Sequence, residues 1–382
     1  MKYKIPLAKP DISDLEKKMV LRVLNTSELS LGPKVKEFEK KIAKFVGVKH
    51  AIAVNSGTSA LHLIIRALGI REGDQVITSP FSFIASANCI LFEGAKPVFV
   101  DIKPDSFNIN PVEIEKKITK KTKAILAVDI FGVPAEWDKL KKIAKKHRLY
   151  LIEDSAEALG SEYKGKKCGS FGDAAVFGFY PNKQITTGEG GVVLTNNKRI
   201  ADLCRSMANQ GRKIKKGGWL EHERLGYNYR ISDINCALGL AQLSRIKELL
   251  EKRKKIAKIY EDKLKSFPEV RPPDIDGSEV KISPFVYTIR LKEKYSEKER
   301  DRIIKKMLEK DIQCGVYFPP IHLQPFYRKM FSYKSGDFPV TENVAKRVIA
   351  LPFFNDLETK EINYIVKNLK KIISKIKWDY LF

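Results

Sequence analysis

Lys183 stands where an apolar run, Ala174 to Tyr180, is broken by Pro181 and Asn182, and Thr186 to Gly191 follow with three glycines in six residues. A lysine at the end of a buried strand, in a glycine-rich loop, is poorly hydrated. Poor hydration favours the neutral amine, which can attack a carbonyl and form an imine. Asp154 ends another apolar run 29 residues earlier. A carboxylate beside such a lysine can pair with a protonated pyridine nitrogen and keep the ring an electron sink. Taken singly, each residue also has a plainer reading: Lys183 as a solvated strand-end lysine, Asp154 as a helix N-cap.

The elements that must position these two groups alternate along the chain. Ala51 to Val54 is a short buried strand that runs into Asn55-Ser56-Gly57-Thr58-Ser59 and a helix from Ala60 to Leu68. Strand, small-residue turn and helix point free backbone N–H groups at an anion. No Walker loop is present. Strands at Gln75–Thr78, Pro97–Ile102, Ala124–Ile130 and Leu149–Glu153 alternate with helices at Phe83–Phe92, Pro111–Ile118 and Glu136–His147. Almost wholly apolar strands separated by amphipathic helices predict an α/β fold with a mostly parallel sheet covered on both faces. In such sheets ligands sit at the carboxyl ends of the strands, where Asn55–Ser59, Ser79–Phe83, Asp154–Glu157 and Lys183 all fall.

Before the first strand, helices are expected at Ile12–Leu24, with Asp11 as its N-cap, and at Val35–Val46. After Gly226-Tyr227-Asn228-Tyr229-Arg230, a long helix capped by Ser232 runs, with a break, to about Leu264. Pro268 to Pro273 mark a boundary. Beyond it a strand at Val286–Leu291, a charged helix at Ser296–Glu309, a strand at Cys314–Phe318 and closing helices make a smaller α+β unit. The expected domains are 1–250, large and cofactor-binding, and 251–382, small and C-terminal.

The chain has 382 residues, 43 % of them hydrophobic, and a formal net charge of +25. No apolar run reaches signal-peptide or membrane-spanning length. Five scattered cysteines, none paired at metal-ligand spacing, suit a reducing cytoplasm and give no metal site. The basic charge fits solvated helix faces, an anionic small substrate, or a nucleic-acid surface, for which no zinc-finger or RRM-type signature is present.

The longer motifs join these parts. They are Glu153-Asp154-Ser155-Ala156-Glu157-Ala158, Phe179-Tyr180-Pro181-Asn182-Lys183-Gln184, Thr187-Gly188-Glu189-Gly190-Gly191, Asn228-Tyr229-Arg230 and Pro320-Ile321-His322-Leu323-Gln324. With Asn55 to Leu61 and Gly94 to Asp101, in this order, the chain resembles the DegT/StrS-type sugar aminotransferases, fold-type I enzymes that use pyridoxal 5'-phosphate.

The resemblance implies a PLP-dependent aminotransferase that moves an amino group from an amino acid, L-glutamate by family habit, to a nucleotide-linked keto-sugar, in polysaccharide biosynthesis. It implies that Lys183 holds the cofactor as an imine and shuttles the proton, and that Asp154 pairs with the pyridine nitrogen. Phe83 would stack on the ring, and Gly57 and Thr58 would bind the phosphate. Asn228 would reach that phosphate from the neighbouring subunit of a homodimer. His322, Tyr317 and Arg230 would meet the substrate. Two positions depart from the family pattern. Glu157 stands where glutamine or histidine often lies near the ring hydroxyl, and Gly178 stands where many members have a phosphate-binding serine. Relatives that aminate cyclitols or other ketones give an alternative substrate class. A basic DNA-binding regulator is an alternative of another kind, supported by charge alone.

Overall fold

The computed structural model describes residues 4–213, 221–273 and 279–378. Seven strands form one sheet in the order His50–Val54, Gly191–Thr195, Ala174–Gly178, Tyr150–Asp154, Thr122–Val128, Gln75–Thr78, Lys96–Phe99. Gly191–Thr195 runs antiparallel to both its neighbours, and every other pairing is parallel. The expected α/β architecture is therefore present. Its strands are buried along most of their length because helices cover both faces: Phe38, Ile42 and Leu240 pack on one, Leu63, Ile64 and Cys204 on the other.

Several boundaries differ from the sequence expectation, each for a local reason. The first helix is Asp14–Leu24 and its N-cap is Ser13, not Asp11. The Ser13 hydroxyl accepts the Leu15 N–H, and the Glu16 carboxylate reaches back to the Ser13 N–H at 2.7 Å. Asp11 instead binds Arg245 at 3.0 Å and Lys252 at 2.9 Å. The next helix but one starts at Gly57, three residues before the expected Ala60, because the Ser56 hydroxyl caps it by accepting the Ser59 N–H at 3.0 Å. The expected cap at Ser232 is present, and the break in the long helix falls at Arg245, between Asp233–Ser244 and Ile246–Leu264.

The expected strand at Cys314–Phe318 does not form. Gly315 alone pairs, with Ala350, and Pro319 and Pro320 follow directly, so no ladder can continue past Phe318. The C-terminal unit is instead a three-stranded antiparallel sheet, Val270–Arg271, Tyr287–Leu291, Val348–Leu351, backed by helices Glu297–Leu308 and Thr359–Trp378. Position 250 lies inside helix Ile246–Leu264. The start of that helix, Ile246 and Leu249, packs in the core of the large sheet, and Ile256, Tyr260 and Leu264 pack in that of the small one. One rigid element thus joins the two cores. No described helix is long and apolar enough to cross a membrane.

Candidate active site

Sheet direction decides where the polar motifs meet. Strands His50–Val54, Gln75–Thr78, Tyr150–Asp154 and Ala174–Gly178 all end at one edge, where the reversed strand Gly191–Thr195 begins. A cavity of about 560 Å³ opens there. Gly57, Thr58, Phe83, Asp154, Glu157, Lys183 and Tyr317 line it; Asn228, Arg230 and His322 do not.

Gly57 and Thr58 occupy the first turn of helix Gly57–Ala67, where backbone N–H groups have no acceptor inside the helix and the helix dipole is positive. The floor beneath them is built for close approach. A Cβ on Gly57 would meet the Gly178 Cα at 3.4 Å, and one on Gly191 would collide with the Ser56 carbonyl oxygen at 2.4 Å. A Cβ on Gly178 itself would meet nothing nearer than the Ala156 Cβ at 3.6 Å, so packing does not require the glycine that stands there in place of a hydroxyl residue.

Asp154 is the last residue of its strand and 4 % exposed. It caps no helix; the next regular element is the short strand Glu162–Tyr163. Its Oδ2 accepts the Ser86 hydroxyl at 2.7 Å, its Oδ1 accepts the Ala156 N–H at 3.2 Å, and Ser82 lies 2.9 Å beyond Ser86. Burial pushes the carboxyl pKa up, while these two donors and the charge of Lys183 hold it down.

Lys183 sits in a tight turn, its N–H donating to the Tyr180 carbonyl at 2.9 Å. Its Nζ lies 3.9 Å from the centre of the Phe285 ring and 3.5 Å from Glu157 Oε1. From helix Ile246–Leu264 the buried Arg253 donates to the carbonyl oxygens of Asn182 and Lys183 at 3.0 and 3.2 Å. Burial lowers the Arg253 pKa to about 10. Opposite, Phe83 is 58 % exposed at the cavity mouth, so it is not core packing, and the Tyr317 ring lies parallel to those of Phe285 and Phe318.

The three residues outside the cavity have partners elsewhere. Asn228 is exposed, its carbonyl accepting from the Asn55 side chain at 3.3 Å. Arg230 donates to Asn209 at 3.1 Å. His322 is fully buried, 3.1 Å from Glu342 and edge-on to Phe338.

Behind Asp154 lies a second acid pair. The Ser155 hydroxyl is 2.6 Å from Asp129 Oδ2 and 2.8 Å from Glu153 Oε1. One hydroxyl hydrogen cannot serve two carboxylates, so one acid carries a proton. Glu153 accepts the N–H groups of Gly169, Phe171 and Gly172, which favours its ionised form. Burial raises the pKa of both acids, and that of Asp129 goes well above the usual range with the Glu153 charge added, which favours Asp129 as the one that holds the proton. Cys168 approaches both acids, but their oxygens already hold hydrogen bonds, so the cluster reads as scaffold for the Asp154 strand end.

Ser86, Phe285 and Arg253 escaped the sequence reading. Ser82 and Ser86, four apart at the start of a short helix after a strand, were a usable signal for the first. Phe285 and Arg253 come from distant chain positions and carried none.

The model of the DegT/DnrJ/EryC1/StrS aminotransferase family matches residues 10–370. A GDP-perosamine synthase from Escherichia coli O157:H7 is 37 % identical over 98 % of this chain and 100 % of its own. Among solved structures, the Helicobacter pylori aminotransferase PseC, involved in the biosynthesis of pseudoaminic acid, superposes with a TM-score of 0.92 at 33 % identity, over 97 % of this chain and 99 % of that one. A putative sugar aminotransferase from Streptococcus pneumoniae in its PLP form gives 0.93 at 30 % identity, over 98 % and 100 %. With the family model matched over nearly its whole length, this chain belongs to the DegT/DnrJ/EryC1/StrS aminotransferase family.

Proposed function

We propose that this enzyme, a pyridoxal phosphate-dependent aminotransferase of nucleotide sugars, takes its amino group from L-glutamate and delivers it to a nucleotide-linked keto-sugar. The observation that carries the reading is that one cavity brings together a lysine amine, a buried carboxylate and the open N-terminus of a helix. Those groups fit the cofactor: an amine for its aldehyde, an acid for its ring nitrogen, and N–H donors over a glycine floor for its phosphate.

When bound, the cofactor supplies the electron sink for transamination. The chain's own residues do the rest. Gly57 and Thr58 would hold the phosphate, and Phe83 would cover the ring. Asp154, fixed by Ser86 and Ala156, keeps a proton at the ring nitrogen. Lys183 would carry the covalent link, and its Nζ, when free, would be the group that moves a proton in the site. Residues 1–250 supply these groups, and 251–382 close the site with Phe285, Tyr317, Phe318 and Arg253. Tyr317 is the substrate contact in this scheme, while Arg230 and His322 lie outside the cavity and bond elsewhere. Asn228, exposed and outside its own cavity, serves the phosphate of a neighbouring copy in a homodimer. Five free cysteines accord with a cytoplasmic enzyme.

Incubation with glutamate and a panel of keto-sugar nucleotides, read by mass spectrometry, tests the substrate. Amination of a nucleotide sugar is expected; amination of cyclitol ketones alone would overturn the substrate assignment.

A further inference from the structure

Glu157 is a buried acid whose one cationic partner among the described residues is the Lys183 amine. Its Oε2 accepts the Phe131 N–H at 2.8 Å. Its Oε1 faces Lys183 Nζ at 3.5 Å and has no other hydrogen-bond partner among the described residues. The remaining neighbours offer no compensation. Asp154 is a like charge, and the Tyr317 phenol is held neutral, its pKa raised by burial. The Phe285 ring is apolar and the turn at Phe131 gives a single N–H.

While Lys183 is an ammonium, the arrangement is balanced: the cation lies on the Phe285 face and pairs with Glu157. Joining the lysine nitrogen to an aldehyde carbon sends two of its three protons into water, and a neutral imine forms only if a base takes the third. A carboxylate left at 157 would then be buried beside Asp154 with one donor for two oxygens, a costly state. We propose that Glu157 Oε1 receives a proton from Lys183 when that amine condenses with the cofactor aldehyde, so that Glu157 is a neutral, hydrogen-bond-donating acid in the loaded enzyme. The step balances. Of the three ammonium protons, one passes to Glu157 and two leave with the aldehyde oxygen as water, while the nitrogen lone pair forms the new bond to carbon. Burial already holds the Glu157 carboxyl above the usual carboxylate range, with the Lys183 charge as the main influence opposing it. Loss of that charge removes the restraint. A neutral acid at 157 can donate where the family often places glutamine or histidine, and it does not repel an anionic ring oxygen.

The inference rests on Lys183 being the cofactor lysine, and the test separates the two claims. Infrared difference spectra are recorded between the apoprotein and the protein loaded with pyridoxal phosphate. Loading itself is followed by the yellow absorbance and by borohydride trapping, and its failure would refute the proposed function. In loaded wild type a protonated-carboxyl band is expected to appear, to shift when glutamates are labelled with carbon-13, and to vanish in loaded Glu157→Gln. A loaded wild type without the band, a band unmoved by the label, or a band that persists in the variant would each overturn the role of Glu157. The labelled wild type decides the matter even if the variant does not fold.

Discussion

The Ser86 hydroxyl donates to Asp154 at 2.7 Å and is one of two donors that hold this buried carboxylate. Hydrogen bonds to charged groups contribute about 1.5–3 kcal/mol each, so the pair decides whether Asp154 stays ionised against its burial. Ser86→Ala removes one donor. It is expected to weaken pyridoxal phosphate binding by roughly ten- to a hundredfold, measured by absorbance titration of the apoprotein. Unchanged affinity would make Ser86 a bystander.

Arg253 ties the helix shared by the two cores to the backbone of Asn182 and Lys183. Arg253→Met keeps the length of the stem but leaves both carbonyls without this donor. The fold should survive, by circular dichroism, while reductive trapping of cofactor at Lys183 slows by about tenfold, the effect of losing one such bond. Trapping at the wild-type rate would show that the turn holds itself.

Asn228 lies outside the cavity of its own chain. If it completes the site of a partner copy, mixing Lys183→Ala with Asn228→Ala subunits makes hybrids with one intact site. Each variant alone should be impaired, Lys183→Ala completely. The mixture should recover up to about a quarter of wild-type activity if subunits exchange freely. No recovery after demonstrated exchange would place Asn228 elsewhere.

Burial and the Glu153 charge hold the Asp129 carboxyl well above the usual aspartate range in the folded protein, whereas an unfolded aspartic acid releases its proton near pH 4. As pH rises through that value the unfolded chain binds fewer protons than the folded one, so this group's contribution to stability falls with pH. Asp129→Asn retains a carbonyl oxygen for the Ala135 and Trp137 donors and an N–H for Ser155. The variant should therefore gain urea midpoint relative to wild type between pH 4 and 7. Parallel profiles would mean that Asp129 is ionised.

Much of this was legible in the chain because apolar runs and helical spacing report burial directly. Ala174–Gly178 and Tyr150–Asp154 were visible as buried strands, and their ends named Lys183 and Asp154. Contacts made across long separations were not. Ser86 reaches Asp154, Phe285 packs under Lys183 and Arg253 holds its carbonyl, and no local pattern encodes such meetings. The failed strand at Cys314–Phe318 has the same origin: its apolar residues fill the wall of the cavity, as Tyr317 and Phe318 do, rather than a ladder. The role of Asp11 was misread because serine two residues later offers the better cap, freeing the aspartate to bind Arg245 and Lys252.

In the proposed function the Lys183 amine is the group that joins the cofactor. Loading the protein with pyridoxal phosphate, reducing with borohydride and sequencing the labelled peptide by mass spectrometry tests it directly. A single pyridoxyl adduct is expected, on Lys183, with Lys183→Ala folded but unlabelled and without transaminase turnover. A colourless wild type, or an adduct confined to other lysines, would contradict it.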